Sequence, residues 1–164
     1  IFNSGPMQVS LQRKCANVNI KEQGMICAVV TRWLTQGTVL QHALKLHPAL
    51  DLLCDDLDWT PNHKKRIAKF KLDNDQWLFL EQLEPMLIML FLASEHMSKS
   101  KFPLIHEVIP LFDSFINKFE DFISDKDLFA GVRAAAVCGW AVICKYYSKT
   151  VMSLQALYAQ NSWI

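Results

Sequence analysis

The tightest constraint on this chain is an apolar stripe at helical spacing. Ile105, Val108, Ile109, Phe112, Phe115, Ile116, Phe119 and Ile123 recur every three or four residues. Glu107, Asp113, Asn117, Lys118, Glu120 and Asp121 fill the positions between them. An α-helix turns once in about 3.6 residues, so this spacing gathers the oily side chains on one face and the wet ones on the other. A strand would scatter both sets over its two faces, because its side chains alternate every second residue. Pro103 is placed to open the helix and Pro110 to bend it. A helix with one oily side has to bury that side, and the rest of the chain supplies further helices to do so.

Residues 3–18 predict a first helix. Asn3 or Ser4 caps it, Pro6 sits early, and Met7, Leu11, Cys15 and Val18 share a face. Gly24 interrupts the pattern, and Met25–Val30 reads as a short extended piece or an irregular lead-in. Thr31 can cap a helix that starts at about Trp33 and carries Leu40, Ala43, Leu44 and Leu46. Pro48 breaks it and opens the next, with Leu50, Leu53, Cys54 and Leu57. Asp73 and Gln76 have the spacing of a capping box ahead of a helix from Trp77 to about Ser98. Apolar residues lie almost all round that helix, which predicts a central, buried element kinked at Pro85. After a turn at Ser124–Asp127, the residues Leu128, Val132, Ala135, Ala136, Gly139, Val142, Ile143 and Tyr146 follow at helical spacing. Ala134–Ala136 and Gly139 are small enough to let a neighbouring helix come close. Tyr146–Thr150 is expected to end this helix, and Ser153–Ile164 to form a short helix or strand. The predicted fold class is mainly α, a helical bundle with at most one or two short strands, in one domain over 1–164.

Composition excludes several function classes. The net charge of +1 provides no global field for a polyanion, so any nucleic-acid site has to be a local patch. Five cysteines without close pairing read as thiols of a reducing compartment. Residues 1–20 lack the blocks of a signal peptide, and Met86–Ala93, the longest apolar run, is too short to span a bilayer. No membrane partner is expected. The sequence has no Cys-x-x-Cys, no glycine-rich phosphate loop, no Gly-x-Ser-x-Gly and no His-Glu-x-x-His. With only five glycines, a nucleotide cradle is not expected either. An enzyme complete within this chain is not predicted. The first residue is isoleucine, which suggests a fragment of a longer protein.

Three groups could carry function. Arg32 and Trp33 pair a planar donor fork suited to phosphate with a flat face suited to a base. The other reading of the pair is a core tryptophan with an arginine snorkelling beside it. His63-Lys64-Lys65-Arg66, followed by Lys69 and Lys71, is the one concentrated basic run, able to neutralise a few phosphates. It reads equally well as a solvated face with Ile67 and Phe70 as its buried side. Asp51, Asp55, Asp56 and Asp58 form an acidic cluster. Asp51 and Asp55 are spaced to share an outward helix face, so a solvated face is favoured over a metal or acid–base site.

Four stretches, taken in order, resemble hAT-family DNA transposases of the fungal type. Val30-Thr31-Arg32-Trp33 with Ala43-Leu44-Lys45-Leu46-His47-Pro48-Ala49-Leu50-Asp51 is the first. The second is Leu72–Trp77 with Leu80-Glu81-Gln82-Leu83-Glu84-Pro85. The third is Ile105-His106-Glu107-Val108-Ile109-Pro110. The fourth is Val132-Arg133-Ala134-Ala135-Ala136 with Lys145-Tyr146-Tyr147-Ser148. The resemblance implies the helical insertion of an RNase H-like transposase, without the Asp, Asp, Glu metal triad or the dimerisation region. A divalent metal such as Mg is then expected only for the complete enzyme, and no cofactor for this segment. It implies that Trp33 stacks on a flipped base at a transposon end, with Arg32 on a neighbouring phosphate. It also implies a nuclear location and DNA as partner. The chain departs from the family where Leu34-Thr35 replaces Asn-Ser and where Cys15 lacks a partner histidine. Two further functional expectations remain: a protein–protein interaction or dimerisation module, burying the stripe Ile105–Ile123 or the alanine-rich face against a catalytic domain or another subunit, and part of an active DNA transposase in a longer chain.

Overall fold

The computed structural model describes residues 4–21, 25, 35–56, 67–99 and 105–161. The chain is mainly α. Among the described residues there are six α-helices and no strand: α1 (Gly5–Asn17), α2 (Thr35–Lys45), α3 (His47–Cys54), α4 (Asn74–Lys99), α5 (Ile105–Ser124) and α6 (Ala130–Asn161). One 3-10 turn covers Ala68–Phe70. The helices fall into two compact units, Ile1–Phe91 and Leu92–Ile164, with the boundary inside α4.

The first unit is built on α1 and α3. Leu11 and Cys15 from α1 meet Leu46, Ala49 and Leu53, and Met7, Val18, Ile20, Met25, Leu50 and Ile67 pack around them. The end of α1 shows why the chain turns back there. Asn19 takes a positive φ of 55°, a conformation its short polar side chain tolerates. That turn lets Ile20 N–H donate to the Cys15 carbonyl and Asn19 N–H to Ala16, so the last helical carbonyls are satisfied while Ile20 folds onto the core. Between α2 and α3 a single residue intervenes. Leu46 is fully buried there, and Pro48 sits in the first turn of α3, where its missing N–H costs nothing. The α2 helix lies against α4 through Gly37, whose Cβ, if it had one, would stand 3.2 Å from the Leu87 carbonyl oxygen. Gln41 Nε2 donates to Glu84 Oε1 at 3.1 Å along the same seam.

The capping box at the start of α4 forms as the spacing predicts. Gln76 N–H donates to Asp73 Oδ1 at 2.7 Å, and Asp73 N–H donates to Gln76 Oε1 at 3.0 Å. The helix then runs without interruption through Pro85. It is not buried all round. Trp77 and Met86 are its buried residues, while Leu78 and Leu92 are 45% and 55% exposed. By length and composition α4 could cross a membrane, a test that core helices of globular proteins also pass. Phe70, expected on a buried side, is also exposed; only Ile67 of that pair joins the core.

The second unit is a hairpin of α5 and α6. Phe119 faces Gly139, Glu120 bonds Trp140, and Phe112 lies beside Tyr147. Partners in α6 advance as those in α5 retreat, so the helices are antiparallel. The predicted stripe does the packing: Phe115 and Phe119 are buried, and so are Val132 and Ala136 on α6. The expected stop at Tyr146–Thr150 does not occur, because α6 continues to Asn161. Nothing in that stretch breaks a helix: it holds no proline or glycine, and Ser148, Thr150 and Ser153 each bond back to a carbonyl of the same helix.

Candidate functional site

Arg32, Trp33, Lys64, Lys65 and Arg66, the residues expected to touch DNA, lie outside the described residues, as does the cap at Thr31. What the structure describes is the frame on either side of them. It is centred on α3 and its acidic side chains.

The i to i+4 spacing of His47 and Asp51 puts both on one side of α3, and they meet at 3.2 Å between Nε2 and Oδ2. Trp77, at the start of α4, stacks on the His47 ring with centroids 4.0 Å apart and planes 24° from parallel. Its indole Nε1 donates to the second oxygen of Asp51 at 3.3 Å. One carboxylate thus accepts from two rings that also touch each other. Asp55 is held by Lys71, whose Nζ lies 2.8 and 2.7 Å from the two oxygens. Asp56 pairs with Lys14 at 3.0 Å and accepts from Ser10 Oγ at 3.4 Å, tying the end of α3 to α1.

The expectation of a solvated acidic face therefore needs correction. Asp55 fits it, but the Asp56 side chain is only 15% exposed and Asp51 is 30% exposed. They are structural ties, invisible to a reading of α3 alone because Lys14 and Trp77 lie far away in sequence. The i to i+4 spacing of His47 and Asp51 was the one local signal of the cluster.

Electrostatics follow from this layout. Burial pushes the Cys54 thiol up, and the carboxylates of Asp51 and Asp55 push it further in the same direction. A thiol raised in this way is a poor nucleophile, so the His47–Asp51 pair has no activated partner in Cys54. The Lys71 ammonium is also raised, chiefly by its bonds to Asp55. The three carboxylates point to three different partners instead of converging. Among the described residues no group of three histidine, cysteine or acidic side chains could hold a metal ion.

No family model, curated protein or solved structure matches this chain. The geometry above and the residue patterns are what bear on function. The pinned cluster brackets the basic segment: α3 ends at Cys54 on one side, and Lys71, bound back to Asp55, fixes the other. Of the outlying lysines of that run, Lys71 is engaged by Asp55, and Lys69 sits 4.9 Å above the Phe70 ring.

Proposed function

We propose that this chain is a transposase-derived helical module that binds nucleic acid in the nucleus and has no cleavage activity of its own. One observation carries the reading. His47 and Asp51 belong to the first stretch that resembles the hAT family and Trp77 to the second, and these three side chains meet in a single stacked, hydrogen-bonded cluster. Two of the stretches that carry the resemblance thus meet in the first unit, which supports reading the pattern as common structure. On that reading Arg32 and Trp33, just ahead of α2, contact a phosphate and a base, and Lys64, Lys65 and Arg66 add further phosphate contacts.

Fluorescence anisotropy with a labelled DNA duplex carrying a single-stranded end tests it. Binding should weaken about 40-fold between about 50 and about 200 mM salt if three phosphates are neutralised. Changing Lys64, Lys65 and Arg66 together to alanine should flatten that dependence. Trp33→Ala should cost about 1–3 kcal/mol on the single-stranded end. A flat titration at low salt overturns the proposal.

A further inference from the structure

From Gly131 to Met152 the face of α6 turned away from α5 is exposed. Gly131, Ala134, Ala135, Cys138, Ala141, Val142, Lys145, Tyr146, Lys149 and Met152 are all exposed, with Val142 at 52%, Tyr146 at 53% and Met152 at 69%. Two properties of this face bear on what covers it. Its first half is made mostly of small residues, with Val137 at its edge 46% exposed, and its second half of large ones, with the change at Ala141–Val142. Its charges are also unevenly placed: Lys145 and Lys149 stand in the second half, while the turn ahead of the first holds Asp125 and Asp127 with Lys126 between them. The hydroxyls of Ser148 and Ser153 are turned back to carbonyls of their own helix, so they leave no unmet polar demand on the second half.

We propose that this face is the interface of a homodimer, formed by two α6 helices packed antiparallel about a two-fold axis near Trp140 in the sequence register. A two-fold axis brings the first half of one copy against the second half of the other. Val142 then lies on Cys138 of the other copy, and Tyr146 on Ala134 and Ala135, large against small. Lys149 falls opposite Gly131, four residues after Asp127 of the turn ahead of α6. A parallel pairing would set large residues against large ones and lysine against lysine, which shape and charge both disfavour. Lys149 already leans over the Tyr146 ring at 5.9 Å, so the cation and the ring would enter the interface together. Small residues over the first two turns permit the close helix approach such a contact needs. This inference does not rest on nucleic-acid binding, and its test contains no DNA.

Sedimentation velocity of the full chain from micromolar to submillimolar concentration should show a reversible monomer–dimer equilibrium. Val142→Glu, at a position 52% exposed, should leave helix content unchanged by circular dichroism and abolish the dimer. Lys149→Glu should weaken it about tenfold, and adding Asp127→Lys to the same chain should restore it. Oxidation of Val142→Cys should join Cys138 of one copy to position 142 of the other, as read by peptide mapping. A wild-type chain that stays monomeric throughout, a dimer that survives Val142→Glu, or a cross-link in a different register overturns the proposal.

Discussion

At the scale of single residues, two positions show how the same side-chain chemistry takes its meaning from its neighbours. Gly139 has no room for a methyl group: a Cβ there would stand 2.6 and 2.7 Å from two ring carbons of Phe119. Phe119 is itself sealed at 1% exposure, so its ring has nowhere to retreat. Gly139→Ala should therefore destabilise the hairpin by about 1–3 kcal/mol despite alanine's better helix propensity. Urea denaturation would show it as a lower midpoint with unchanged slope. Cys54 makes the second case. Its thiol is raised by burial, then by the Asp51 and Asp55 carboxylates, so at mildly alkaline pH it should alkylate more slowly than an ordinary thiol. Asp55→Asn removes one of the charges opposing the thiolate. The sign is a lower pKa and faster alkylation at that pH, read by mass spectrometry of the Cys54 peptide. Alkylation at an unchanged rate would show that the carboxylate does not act on the thiol.

At the scale of elements, boundaries depend on local hydrogen bonding, and there the sequence is readable. The reciprocal bonds between Asp73 and Gln76 start α4 where the spacing places them. Asp73→Ala should cost about 1 kcal/mol, and Asp73→Ser should recover most of it, measured as the shift in thermal midpoint. The α3 start at Pro48 and the stripe of α5 were equally legible, because proline geometry and helical periodicity are local properties. The end of α6 was not. Polar residues at Ser148–Thr150 resemble a stop, yet hydroxyls that bond back to the helix carry no such signal. Burial around α4 is not legible for a related reason: an apolar circumference says that a helix can be covered, not that it is.

At the scale of the whole molecule, two separate sets of buried side chains define the cores. One is Leu11, Cys15, Leu46, Ala49 and Leu53, and the other includes Phe115, Phe119, Val132 and Ala136. Hydrogen exchange should accordingly find its slowest amides in two clusters, one in α1 and α3 and one in the middle of α5 and the first half of α6. Uniform protection along α4 as strong as in those clusters would contradict the exposure seen there. By itself the sequence determined that the chain is helical and where most helices begin, since periodicity, caps and prolines act within a few residues. Only the tertiary structure decided which acidic side chains are drawn into the packed frame and which stay at the surface. Asp51 and Asp56 acquire their roles from Trp77, Lys14 and Ser10, brought up from distant segments by burial of the apolar core. A charge pairs with whatever the packed chain places beside it, and its sequence neighbours do not carry that information.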